Sequence, residues 1–176
     1  MRLPWRDVDG ISTTLTSAEI GRLRELAAGA LVLEIGSGYG YSSIHMALAG
    51  ARLVLAVDPH AGEVPGAWET IQRHWSEYEA WDRIAPLRAT SQAALPLLAD
   101  DSFDLVFVDG DHSRDAVLHD VVQGWRLLKP GGVLACHDYY EEWCVEVGPA
   151  LDSWGGPDEV VDTLWLRRKS DPGRIG

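Results

Sequence analysis

Gly36, Ser37, Gly38 and Gly40, directly behind the apolar run Leu31–Ile35, form the segment of this chain best suited to meet a ligand with its backbone. Glycines at alternate positions allow a tight turn and keep side chains out of the way of whatever lies on the main chain. A dinucleotide fingerprint, Gly-x-Gly-x-x-Gly, would put its third glycine at Tyr41, and no Gly-Lys-Ser/Thr follows, so NAD and a Walker phosphate loop are disfavoured. Asp58, just before Pro59 at the end of the next β-rich run, is of the type that accepts hydrogen bonds from both hydroxyls of a ribose. Two later apolar runs empty into polar clusters: 103–108 into Asp109, Gly110, Asp111 and His112, and 133–136 into His137 and Asp138. Carboxylates beside imidazoles can hold a divalent cation or move a proton. Asp109, Asp111 and His112 could instead cap the helix that follows, and His137 and Asp138 could hydrogen-bond a strand end.

These residues need a frame that brings them together. Thr16 and Glu19 have the capping-box spacing, and Ile20, Leu23, Leu26 and Ala27 recur at helical period, which predicts a helix over 17–28. Further helices are expected over 41–49, 67–80, 92–98 (with Pro96 at its early turn or breaking it), 115–128 and 141–154. Strands are expected over 31–35, 52–57, 84–87, 103–108, 133–136 and 163–167, with Val160 and Val161 in a short partner. Lys129-Pro130-Gly131-Gly132 reads as the stop of the helix over 115–128. Alternation of strand and helix implies an α/β fold, a mostly parallel sheet covered on both faces. In such a sheet ligands bind beyond the carboxyl ends of the strands, where all the polar clusters fall.

At 176 residues the chain reads as a single domain, 1–176, with its core over about 17–168 and a frayed tail from about 170. A formal charge of −12 argues against a polyphosphate partner, so nucleic acid is a poor substrate. No run is long and apolar enough for a bilayer, and residues 1–10 lack a secretory signal, so a cytoplasmic protein without membrane attachment is expected. Cys136 and Cys144 read as core or near-site thiols. Among eight tryptophans, Trp68, Trp75 and Trp81 share one helical region, where they either pack the core or wall a flat organic substrate. His45, His60, His74 and His119 read as surface or core histidines.

Glu34-Ile-Gly-Ser-Gly-Tyr-Gly40, Ala56-Val-Asp58, Phe103-Asp-Leu-Val-Phe-Val-Asp-Gly-Asp-His112 and Leu128-Lys-Pro-Gly-Gly-Val-Leu134 resemble class I S-adenosylmethionine (SAM) dependent methyltransferases over residues 17–168. The Val-Asp-Gly-Asp-His and His-Asp-Tyr signatures are most similar to metal-dependent, catechol-type O-methyltransferases. The resemblance implies a Rossmann-like, doubly wound seven-stranded sheet with helices on both faces and the last strand antiparallel. It implies that Gly36, Ser37, Gly38 and Gly40 line the methionine and ribose of SAM with Glu34 nearby, that Asp58 and Pro59 meet the ribose, and that Thr90, Ser91 and Gln92 flank the adenine. It also implies a metal held by Asp109, His137 and Asp138, with Asp109 beside the cofactor. Where this chain has His137-Asp138 the family usually has Asp-Asn or Glu-Asp, so His137 is a departure. Imidazole suits Mn²⁺, Fe²⁺ or Zn²⁺ better than Mg²⁺, although two carboxylates and a histidine could hold Mg²⁺.

His112 occupies the position where the resembled enzymes carry a lysine base. The expected reaction is methyl transfer from SAM to a hydroxyl of a small-molecule acceptor, with His112 and Asp109 as catalytic groups and Mg²⁺ or Mn²⁺ assisting. Two alternatives stay open: a metal-independent N-, O- or C-methyltransferase, and a SAM-binding regulatory or assembly protein without catalysis. Residues 1–16 and 61–68 are candidate covers for the acceptor. A partner subunit could supply that cover, so a homo-oligomer is open as well.

Overall fold

The computed structural model describes residues 6–8, 10–60 and 66–170. A hairpin of β1 (Arg6–Val8) and β2 (Ile11–Thr13) precedes α1 (Ser17–Ala27), β3 (Leu31–Ile35) and α2 (Tyr41–Leu48). β4 (Leu53–Val57), α3 (Ala67–Glu77), β5 (Ile84–Leu87), α4 (Ser91–Ala94) and β6 (Phe103–Val108) follow. α5 (Arg114–Leu127), β7 (Leu128–Cys136), α6 (Val147–Trp154), β8 (Glu159–Val161) and β9 (Leu164–Arg168) complete the order. Seven strands form one sheet in the order β5-β4-β3-β6-β7-β9-β8, and β9 runs antiparallel to both its neighbours. The mostly parallel α/β sheet expected from the alternation of elements is present, in the Rossmann-like seven-stranded form that the resemblance implies. The tail from residue 171 and the loop over 61–65 lie outside the described residues.

Near-continuous apolar strands make sense because both faces of the sheet are covered. Side chains of β6 alternate between the two cores: Leu105 and Phe107 pack with the α1, α2 and α3 side, Val106 and Val108 with the α4, α5 and α6 side. Pro86 lies in β5, an edge strand, where a missing ladder donor is tolerated. α1 begins with the capping box: Thr16 Oγ1 accepts the Glu19 N–H, and Glu19 Oε2 accepts the Thr16 N–H at 2.8 Å. Trp75 is fully buried in the core, with the partly buried Trp68 and the exposed Trp81 edge-on to it. Among the described residues no helix is long and apolar enough to cross a membrane.

Three local expectations are corrected. Lys129 to Gly132 does not cap α5 but lies inside β7, which starts at Leu128. Pairing with β6 shifts register between Phe103 and Leu105, Gly131 is left-handed at φ 82°, and its N–H donates to the Lys169 carbonyl. A bulge accommodates both glycines and the proline within a strand. The helix expected over 141–154 begins only at Val147. Asp138 and Tyr140 adopt left-handed backbone, and successive turns (Glu141 N–H to Asp138 O, Cys144 N–H to Glu141 O, Val147 N–H to Cys144 O) replace the first part of that helix. Over 92–98, α4 gives way at Leu95 to a 3₁₀ turn containing Pro96.

β3 is the centre from which the chain winds outward both ways, so its gap with β6 is the switch point of the sheet. Here Gly36 is left-handed at φ 85°, and a Cβ on it would lie 2.0 Å from the Asp109 carbonyl oxygen. Gly38 is left-handed too, at φ 48°, but a Cβ there meets nothing within 4 Å. Urea unfolding should therefore separate the two positions. Gly36→Ala should lose more than about 4 kcal/mol or fail to fold, and Gly38→Ala only about 1–2 kcal/mol of backbone strain. Equal losses would show that close approach is not what Gly36 provides.

Candidate active site

The strand ends are in register. Cys136 pairs with Val108, Val108 with Ile35, Ile35 with Val57, and Val57 with Leu87. The next residue of each strand therefore falls in one row along the carboxyl edge: His137, Asp109, Gly36 and Asp58. Backbone bonds extend the ladder to that row, from His137 N–H to Val108 O, Asp109 N–H to Ile35 O, Gly36 N–H to Val57 O and Asp58 N–H to Leu87 O.

Asp58 fixes the glycine loop as well as bordering the site. Its Oδ2 accepts the Ser37 and Gly38 N–H groups, each at 3.0 Å, and its Oδ1 accepts the His60 N–H at 2.7 Å. Beneath the loop, Glu34 is completely buried and accepts the hydroxyls of Ser42 and Ser43 from the first turn of α2. Burial pushes the Glu34 carboxyl up to about 7, and the charges of Asp109 and Asp58 add to this against the two serine bonds. Gly40 begins α2 in left-handed backbone, and a Cβ there would lie 2.8 Å from Trp75 Nε1.

Two cavities meet over this loop. One, of about 340 Å³, is lined by Gly36, Gly38, Asp58, Pro59, Thr90, Ser91, Gln92, Asp109 and Asp120 among others. Its neighbour, of about 380 Å³, is lined by Ser12 to Leu15, Gly36 to Tyr39, Tyr41, Ser42, Asp109, His112, Asp138 and Trp143. Gly36, Gly38, Asp109 and Gly110 belong to both. The backbone of the switch point is thus the shared floor. Leu15, Tyr41 and Trp143 give the second cavity an apolar wall, and the strand β2 and its continuation border it.

The same cavity carries a cluster of charges. His137 Nδ1 faces Asp109 Oδ1 at 3.4 Å and Asp138 Oδ1 at 3.3 Å, while its Nε2 faces Glu19 Oε2 at 3.3 Å. Burial opposes protonation of His137, but Asp109, Asp138 and Glu19 raise its pKa well above the ordinary imidazole value. His112 Nε2 lies 3.0 Å from Asp138 Oδ2, and this hydrogen bond raises the proton affinity of His112. Burial works against the charge of Asp138, yet the bond from His112 and the nearby imidazole of His137 hold its carboxyl well below the usual range. Cys144 stands beside Asp138 as a buried thiol that desolvation pushes up to about 12.

The donor atoms of Asp109, His137 and Asp138 lie within 4.8 Å of one another. His137 Nδ1 and Asp138 Oδ1 are both buried without a hydrogen-bond partner. Unpaired buried polar atoms are costly, and a cation shared between them and Asp109 would satisfy both. One nitrogen and two carboxylate oxygens fit a divalent ion.

Residues 33–139, more than half of the chain, match the model of a family described as a methyltransferase domain. A predicted O-methyltransferase of Mycobacterium sp. (strain JLS) is 31% identical over 133 residues, 73% of this chain and 57% of that protein. The chain belongs to this methyltransferase-domain family. It spans a little over half the length of the curated relatives it matches. Its fold is shared with the O-methyltransferase TomG from Streptomyces achromogenes, solved in complex with SAM, at a TM-score of 0.62 and 21% identity over 79% of this chain and 68% of that one. An O-methyltransferase from Bacillus cereus, solved in complex with SAH, superposes at a TM-score of 0.65 and 18% identity over 80% and 68% of the two chains.

Within this methyltransferase domain the structure brings Gly36, Ser37, Gly38, Asp58, Pro59, Thr90, Ser91, Gln92, Asp109, His112 and Asp138 to the two cavities. His137 stands just behind them, and Glu34 and Gly40 line neither cavity. Asp111 Oδ1 accepts the N–H of Ser113, the residue before α5, at 2.8 Å, whereas neither Asp109 nor His112 caps α5, which starts only at Arg114. Sequence reasoning missed Glu19, Tyr41, Trp143 and Asp120. Asp120 had a signal: it sits with Val117, Val121 and Gly124 on the buried face of α5, where an acid needs a reason. Burial raises its pKa, and Ser91 and His119 hydrogen-bond it.

Protonated Glu34 stabilises the fold fully below about pH 4.5, its ordinary value, and that contribution is lost as pH rises through about 7. Denaturant unfolding across this window should show wild type losing roughly 2–4 kcal/mol relative to Glu34→Gln. Parallel stability profiles would show that Glu34 is ionised beneath the loop.

Proposed function

We propose that this domain transfers a methyl group from SAM to a hydroxyl oxygen of a small-molecule acceptor. The observation that supports it is the pair of cavities joined over Gly36, Gly38 and Asp109, which gives donor and acceptor separate places with a common floor. The adenosine of SAM belongs in the cavity of Pro59, Thr90, Ser91, Gln92 and Asp120. Asp58 has one carboxylate lone pair, on Oδ1, left for a ribose hydroxyl after its three backbone bonds. The acceptor belongs between Leu15, Tyr41 and Trp143, facing His112.

In the reaction the acceptor oxygen forms its bond to the methyl carbon as the carbon–sulfur bond breaks, which leaves S-adenosylhomocysteine (SAH). Alignment and exclusion of water account for much of the acceleration. His112, oriented by Asp138, takes the hydroxyl proton. Asp109, His137 and Asp138 would hold a divalent cation, Mg²⁺ or Mn²⁺, whose charge lowers the pKa of an acceptor hydroxyl. One observation favours a cation-free variant: His137, ringed by three carboxylates, can carry a proton where the cation would sit. In that case His112 alone serves as base.

Asp109→Asn separates these readings. α5 does not use Asp109 as a cap, so the variant should unfold within about 0.5 kcal/mol of wild type in EDTA and bind SAM with unchanged affinity by calorimetry. Methyl transfer to a catechol probe should fall at least tenfold and recover in part with excess Mn²⁺. Full activity of the variant in EDTA would rule out the cation. Binding of NADH in place of SAM by the wild type would overturn the cofactor assignment itself.

A further inference from the structure

α1 borders neither cavity, yet it sends a completely buried carboxylate to the back of the charged cluster. Glu19 Oε1 accepts both the N–H of Thr163 at 2.8 Å and its hydroxyl at 2.7 Å, and Oε2 accepts the Thr16 N–H at 2.8 Å. Donors from the start of α1 and from the turn before β9 thus fix the carboxylate in place. A capping box requires no such burial, since its glutamate only has to reach back to one backbone N–H. A carboxylate taken wholly out of water is costly unless further partners use its charge. The remaining partner is the imidazole of His137, 3.3 Å away and equally closed to solvent.

An imidazole has two nitrogens, and the hydrogen bond made by one decides what the other presents. With Nε2–H given to Glu19, Nδ1 turns a lone pair toward Asp109 and Asp138. That is the direction in which Nδ1 and Asp138 Oδ1 lie buried without a hydrogen-bond partner.

We infer that Glu19 is a positioning residue: it holds His137 as the Nε2–H tautomer, so that Nδ1 is available as a ligand to a divalent ion that accepts imidazole. The inference rests on the cation reading above and adds to it a carboxylate from outside the ligand set, with Thr163 fixing that carboxylate in turn. A carboxylate behind a ligating histidine makes the imidazole a stronger donor. It also biases the site toward Mn²⁺, Co²⁺ or Zn²⁺ over Mg²⁺, which takes oxygen ligands by preference.

The test is binding of the ion itself, read from the visible absorption of Co²⁺ titrated into the whole chain. Glu19→Gln should weaken Co²⁺ binding by about 10- to 100-fold, because the amide group can offer an N–H to Nε2 and reverse the tautomer. Thr163→Val should weaken it several-fold, and SAH affinity should be unchanged in both. In the Zn²⁺-loaded protein, ¹⁵N spectra of labelled histidine should show His137 bound through Nδ1 with its proton on Nε2. Wild type that binds no Co²⁺, or binds it equally well with Asp109→Asn, contradicts the cation reading and this inference with it. Loss in Asp109→Asn together with unchanged binding in Glu19→Gln overturns the role of Glu19 and leaves the cation reading standing. Should Glu19→Gln not fold, unchanged binding in Thr163→Val or coordination through Nε2 overturns it in the same way.

Discussion

At the centre of the sheet the chain of β3 passes so close over the end of β6 that the first residue beyond Ile35 has no room for a side chain. The contact between Gly36 and the Asp109 carbonyl is backbone on backbone, and the other features of the site depend on it. It bends the glycine loop away from the sheet, and this lets Asp58 catch two loop N–H groups from the neighbouring strand. It also makes one stretch of main chain the floor of both cavities. A bulkier residue would separate β3 from β6 and remove the alignment of strand ends that puts Asp58, Gly36, Asp109 and His137 in one row.

Charge is distributed unevenly around that floor. On the loop side the carboxyl of Glu34 is pushed toward neutrality beneath the main chain, where two serine hydroxyls hold it. Around His137 three carboxylates face one imidazole, and hydrogen bonds lower the pKa of Glu19 to about 2 in spite of burial. The difference follows from partners: Glu34 has only hydroxyls, whereas Glu19 has an imidazole, two backbone N–H groups and a threonine hydroxyl. The same residue type therefore has its ionisation held back at one site and is held charged at the other. The left-handed backbone of Asp138, uncommon for a residue with a side chain, turns its carboxylate between His112 and His137.

Much of this was legible in the sequence because it is local. Apolar runs such as Leu31–Ile35 and Phe103–Val108 fix strands buried on both faces, the Thr16–Glu19 pair fixes the start of α1, and the three glycines mark the loop. What was not legible depends on distant partners. The bulge at Gly131 is held by Lys169, and the turns over 141–146 replace a helix once Asp138 and Tyr140 turn left-handed beside the site. Glu19 looked like a complete capping residue, and nothing near it in sequence announces His137 or Thr163. The three glycines looked alike as well. Space separates them into one that admits the neighbouring strand, one open to the cavity and one packed on Trp75.

The central claim is that donor and acceptor meet above Gly36 and Asp109. A crystal structure of the protein with SAH and Mn²⁺, with anomalous data, tests it most directly. The account predicts adenosine density beside Thr90, Ser91 and Gln92, the ribose on Asp58, the sulfur above the shared floor, and an anomalous peak between Asp109, His137 and Asp138. SAH bound elsewhere, or lying across the wall of Leu15, Tyr41 and Trp143, would contradict the account.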